Sequence, residues 1–236
     1  NKRLPDWLHR PLPCSESFTQ TREIIKSLKI NTVCWSANCP NRGDCWDRKH
    51  ASILIMGSVC TRNCLFCSIN NGTPQLPEKS EPGRIAEFAA KTGLEYLVIT
   101  SVNRDDLPDG GAAHFRDCIS FIHNCSARTS LEILTPDFRG CEDTALQLLS
   151  GAQPFTFAHN IETVPSLYSR LRPAGSYKGS LKLLKKASER FNQPVKSSLM
   201  LRKKKKDNEV ESVLRDLRGV NCDTVVMGQY LRPSKD

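Results

Sequence analysis

The stretch SILIMGSVCTRNCLFC, residues 52–67, decides how the chain is read. The apolar run SILIMG (52–57) leads into three cysteines within eight residues, Cys60, Cys64 and Cys67. A short apolar run that ends at glycine reads as a buried strand, so the cysteines stand on the loop that leaves it. Thiolates so spaced select zinc, copper(I) or an iron–sulfur cluster. A structural zinc site completes four ligands, often as two paired sets, and the next histidine after Cys67 is distant, at His114. On a four-iron cube, three cysteines leave one iron open to a small molecule.

Outward from this stretch the chain alternates short apolar runs with amphipathic segments. After SILIMG, the strands expected are YLVITS (96–101), LEILT (131–135), PFTFAH (154–159), VKSSLML (195–201) and TVVMG (224–228). Helices are expected at 81–93, 111–124, 141–151, 180–191 and 208–219, with a helical turn near 162–171. Strands separated by helices of about ten residues are βα units. Six units are too few for a closed eight-unit barrel. The expected fold is therefore α/β, a partial (β/α)6 TIM-like barrel over 51–236, behind a cysteine-rich N-terminal extension over 1–50. Polar residues gather after the strands, at 60–67, 101–106, 135–139 and 159–162, which places them on one rim. Ligands belong at the carboxyl ends of parallel strands.

A second trio, Cys34, Cys39 and Cys45, lies in CWSANCPNRGDC, and the repetition argues for two separate clusters. Cys118, Cys125, Cys141 and Cys222 read as small hydrophobes, and Cys14 has no neighbour at ligand spacing. Eleven cysteines without a secretory signal favour a reducing compartment and metal ligation over disulfides. The cytoplasm is the expected location, with mitochondrial matrix or plastid stroma as alternatives. No run of 18 apolar residues suggests a membrane span. A formal charge of +9 favours an acidic partner. The run at 202–206, Arg202 followed by four lysines, reads as a solvated edge rather than a nucleic-acid site. A monomer is expected.

The blocks TVCWSANCPNRGDCW, CTRNCLFC, VITSVNRDDLPDGGAAHF, EILTPDFRG, AHNIETVP, LRP and MGQYLRPS together resemble the lipoyl synthase family of the radical S-adenosylmethionine superfamily. The resemblance runs from about residue 3 to the C-terminus. It implies that Cys60, Cys64 and Cys67 hold a [4Fe-4S] cluster that binds and cleaves S-adenosylmethionine. It implies that Cys34, Cys39 and Cys45 hold an auxiliary [4Fe-4S] cluster consumed as the sulfur source. The reaction implied is insertion of sulfur at C6 and C8 of an octanoyl group on a carrier lysine, with two S-adenosylmethionine molecules per product. The carriers implied are an octanoylated lipoyl domain or the glycine-cleavage H protein, with ferredoxin or flavodoxin as electron donor. Phe66 matches the aromatic beside the adenine. Asn103, Arg104, Asp105 and Asp106 form the cofactor and substrate rim by the same analogy. Glu132, Asn160, Glu162, Arg172 and Lys196 are further candidates for holding the cofactor or orienting the chain.

Two departures bear on activity. The family follows the SLML strand with a glycine-rich Gly-Leu-Gly-Glu-Thr segment, where this chain has Arg202 to Lys206. Long cationic side chains deny the close backbone approach that glycine permits. The family also ends on an Arg-Ser-Ser-Tyr motif whose serine completes the auxiliary cluster, whereas the sequence stops at Asp236 and opens at Asn1 rather than Met. The expectation is a piece of a longer protein or a truncated paralogue. The alternative function is then a non-catalytic iron–sulfur or zinc protein that binds an acidic partner.

Overall fold

The computed structural model describes residues 15–201 and 207–230. Cys14, the basic run at 202–206 and residues 231–234 of the last resemblance block lie outside the described residues. The elements in order are α1 (Glu16–Ser27), α2 (Val33–Ser36), α3 (Arg42–Asp47), β1 (His50–Ile55), β2 (Val59–Cys60), β3 (Asn70–Asn71), α4 (Glu81–Thr92), β4 (Tyr96–Ser101), α5 (Ala112–Cys125) and β5 (Ser130–Leu134). There follow α6 (Glu142–Ser150), β6 (Thr156–Ala158), α7 (Pro165–Leu171), α8 (Tyr177–Arg190), β7 (Val195–Leu201), α9 (Asp207–Gly219) and β8 (Thr224–Gln229).

Six strands form one all-parallel sheet in the order β1-β4-β5-β6-β7-β8. The order follows the chain, so each βα unit adds its strand beside the last, as in a barrel that has not closed. Each expected strand and helix after residue 50 is present, within a few residues at its ends. Register follows from apolar side chains that stand in one row: Ile53 opposite Ile99, then Ile133, Phe157 and Val195. All five are fully buried, and each contributes about 2–3 kcal/mol relative to exposure. A slip of one residue would turn that row to the other face.

In the described part of the extension, residues 15–50, the helices are short and are held by contacts distant in sequence. Ser15 and Thr32 cap α1 and α2 through their side-chain oxygens. Trp46 is buried and stacks on Phe18 at 4.9 Å. Thr32 bridges Ile53, and Leu54 N–H donates to Asn31 O, so the extension covers the free edge of β1. At the other edge, Val226 and Met227 of β8 are about half exposed.

The strand expected over 52–57 stops at Ile55 because Met56 turns to φ +62° and Gly57 to +86°. Such a conformation costs a side-chain-bearing residue energy, and buried Glu81 stabilises it by accepting the Met56 N–H at 2.9 Å. The turn throws the chain over the strand ends into the cysteine loop. Among the described residues, no helix is long and apolar enough to cross a membrane.

Candidate functional site

The cysteine loop leaves β1 and closes on itself through β2 and β3, where Val59 pairs with Asn70 and Cys60 with Asn71. Thr61 N–H bonds to Asn103 O beyond β4, and Leu65 N–H to Leu171 O at the end of α7. These contacts hold Cys60, Cys64 and Cys67 over a cavity of about 330 Å³ at the carboxyl ends of the strands. Its floor carries Leu54, Thr100 and Leu134, one register row on the inner face of the sheet. Val33, Ser36 and Ala37 form one wall, and Phe66, Asn103, Asn160, Glu162, His159 and Arg172 also face it.

The cysteine environment suits thiolates that bind metal. Cys60 Sγ accepts backbone N–H groups from Arg62 at 3.4 Å and Asn103 at 3.3 Å. Burial pushes the Cys64 thiol up to about 11, against the lowering influence of Arg172, so without a metal it stays protonated. Ser101 Oγ and Asn103 Oδ1 are buried without a partner among the described residues, and both residues line the cavity, Ser101 with its side chain on the face opposite Thr100. In the extension, burial raises Cys34 and Cys45, and the three thiols of that trio lie within electrostatic reach of one another. All ten described cysteines are free. Among the described residues, no three Cys, His, Asp or Glu side chains gather as a single metal ion requires.

The sequence-expected residues divide into three groups. Phe66, Asn103, Asn160 and Arg172 join the three cysteines around the cavity. Arg104 and Asp105 instead line an adjoining cavity of about 240 Å³, with Asp137 and Arg139. Arg104 is buried and forks onto Asp106 at 2.8 and 2.7 Å, and Asp105 clamps Arg62. Glu132 and Lys196 do not reach the first cavity. Glu132 lies two residues below Leu134, about 7 Å deeper along the strand. There it accepts from Lys196 Nζ at 2.6 Å and from the Tyr96 hydroxyl. The sequence placed these two on strands but could not give their depth.

Two residues of the site went unread: Arg62, inside the cysteine loop, and Asp137, after β5. Their partners lie 43 and 75 residues away, so no spacing along the chain announces them.

A family description, Radical SAM superfamily, matches residues 54–217, from within β1 into α9. The chain belongs to the radical SAM superfamily. Solved radical SAM structures are similar in fold. Methylornithine synthase (PylB) aligns over 89% of this chain and 64% of its own, with a TM-score of 0.57 and 15% identity. SuiB of Streptococcus suis covers 77% of this chain and 40% of its own, at 0.60 and 13%. Coproporphyrinogen III oxidase (HemN) from Escherichia coli, titled a radical SAM enzyme, covers 78% and 44%, at 0.55 and 13%. The chain thus spans less than two thirds of the length of each.

Membership in the superfamily implies a [4Fe-4S] cluster and S-adenosylmethionine. The residues present fit both. Three cysteines on one loop offer three thiolates, and Asn103, whose buried Oδ1 is orphaned, lines the cavity those thiolates border.

Proposed function

We propose that this radical SAM protein is a lipoyl synthase, acting on an octanoyl group carried by a lysine of an acidic protein. The observation that carries the reading joins the two cysteine trios. Helix α2, which carries Cys34, contributes Val33 and Ser36 to a wall of the cavity bordered by Cys60, Cys64 and Cys67. A second cluster on Cys34, Cys39 and Cys45 would therefore sit beside the first, where a sulfur donor is needed.

The methylenes at C6 and C8 of an octanoyl chain are far too weakly acidic for any side-chain base. Bound together, the cluster and S-adenosylmethionine supply hydrogen-atom abstraction, the chemistry such carbons require. The protein's own part is placement and exclusion of water. Leu54, Val102, Leu134 and Ile69 give the cavity apolar walls for an acyl chain. Arg172, anchored on Asn160 O at 3.2 Å and Tyr168 Oη at 3.0 Å, presents a fixed cation to a carboxylate. Asn103, whose Oδ1 is unpartnered, lines the same cavity and would offer that oxygen to a donor of the cofactor.

A groove beside the cavity supports an acidic carrier. Its described lining includes Arg22, Lys26 and Lys29, with no acidic residue, and Trp35, 52% exposed, with the Arg42 guanidinium 4.2 Å above its ring. Ser36 belongs to both groove and cavity, so a carrier seated there would hold its modified lysine at the mouth.

The test is anaerobic reconstitution, iron and sulfide analysis, electron paramagnetic resonance with and without S-adenosylmethionine, then mass analysis of an octanoylated carrier. About eight irons per chain, as two four-iron clusters, and a carrier gaining two sulfurs are expected. About four irons with a cofactor-responsive spectrum but no sulfur gain would overturn the assignment and leave a different radical reaction. Zinc in place of iron would leave the non-catalytic alternative.

A further inference from the structure

Arg62 is the second residue after Cys60 and the second before Cys64, yet its side chain turns away from solvent and is 3% exposed. Its Nε and Nη2 fork onto Asp105 at 2.8 and 2.5 Å, and its Nη1 donates to Asp137 Oδ2 at 2.7 Å. Asp105 is held in turn by Thr61 Oγ1 at 2.7 Å. Asp137 is 6% exposed, and Arg172 Nη2 stands 3.9 Å from the same Oδ2. One carboxylate therefore serves two arginines that both face the cavity bordered by the three cysteines. Arg62 also lines the adjoining chamber, and with Asn103 and Pro136 it stands between the two cavities.

Burying a guanidinium and a carboxylate is costly unless their bonds are well formed, so stability alone is a weak reason for such a pair. We propose that Arg62 and Asp137 are positioning residues of the cysteine loop, and that their opposed charges set the reduction potential of the cluster it holds. Only a planar fork can reach Asp105 and Asp137 together, so Arg62 ties the loop to the ends of both β4 and β5. Reduction adds one negative charge to the cluster. A buried cation beside it favours the reduced state and a buried anion opposes it. The inference rests on superfamily membership and holds whatever the substrate.

Three variants, each reconstituted as the full chain, test it without substrate by redox titration and by the spectral response to S-adenosylmethionine. Arg62→Gln should lower the cluster potential and Asp137→Asn should raise it, each by roughly tenfold in the reduction equilibrium, about 59 mV for one electron. Arg62→Lys keeps the charge but not the fork. It should hold the potential near the starting value while the cofactor concentration needed for the spectral change rises about tenfold. Equal potentials in all variants, or shifts of the same sign in Arg62→Gln and Asp137→Asn, would overturn the charge role. An unchanged cofactor response in Arg62→Lys would overturn the positioning role. Should Arg62→Gln fail to take up iron, Asp137→Asn decides the sign alone, because it leaves the loop sequence intact.

Discussion

Asn103 separates backbone from side-chain function within one residue. Its N–H donates to Cys60 Sγ and its carbonyl accepts from Thr61 N–H, while Oδ1 lies buried and unpartnered at the cavity. Asn103→Ala preserves both backbone bonds and removes only the side chain. One buried hydrogen bond contributes about 1–1.5 kcal/mol. The dissociation constant for S-adenosylmethionine should therefore rise about tenfold by calorimetric titration on the reconstituted protein, with iron content unchanged. An unaltered constant would mean that Oδ1 does not touch the cofactor. The site was partly legible at this scale. The thiols were announced by spacing, because a loop's ligands are neighbours in the chain. Arg62 and Asp137 were not, because a bond between loops leaves no local pattern.

At the scale of elements, His159 joins the end of β6 to β5 and α8. Its Nδ1 donates to Thr135 O at 2.9 Å, so Nε2 accepts from Ser180 Oγ at 2.8 Å. Ser180 Oγ already meets Tyr168 Oη and Arg172 Nη1. A second proton on the ring would be buried and would face that arginine. Burial first, then Arg172, holds the imidazole down to about 4, from an ordinary value near 6.5. As pH falls below about 6.5 the unfolded chain takes up a proton that the folded chain refuses until about 4. The stability contributed by neutral His159 is thus full above about 6.5 and is lost between there and about 4. The loss is at most about 3 kcal/mol. Denaturant midpoints of the metal-free chain should fall across that window, and His159→Gln should flatten the slope. An unchanged slope in the variant would place the acid sensitivity elsewhere. The element boundaries themselves were legible for YLVITS and VKSSLML, whose strands begin and end where the apolar pattern does. The strand over 52–57 was overextended because the turn at Met56 depends on Glu81, 25 residues on.

At the scale of the whole molecule, three described cations stand together in one groove. The groove formed by α1 and α2 carries Arg22, Lys26 and Lys29 beside Trp35, and opens next to the cavity. Cationic and aromatic side chains together favour recognition of an acidic surface. Under the function proposed above, replacing Lys26 and Lys29 by glutamate should raise KM for an octanoylated acidic carrier about tenfold while kcat on a short octanoyl-lysine peptide is unchanged. In the unsubstituted protein the carrier KM should rise with salt. Equal losses on carrier and peptide would show that the groove acts on the cavity instead of on the carrier. The sequence showed the net charge but not this arrangement, since these side chains become one surface only when α1 packs against α3 and α4.

The order of strands and helices and the two cysteine trios were determined by the sequence alone. Both are written in short-range patterns: apolar runs of strand length broken by turns, and thiols a few residues apart. Only the tertiary structure decided how deep each polar side chain sits in the sheet. It separated Asn103 and Arg172, which face the cavity, from Glu132 and Lys196, which pair beneath it. It also brought Arg62 to Asp105 and Asp137. Depth and pairing follow from register, and register is set by the buried row from Ile53 to Val195 packing as one layer. That layer exists only once strands from across the chain have met.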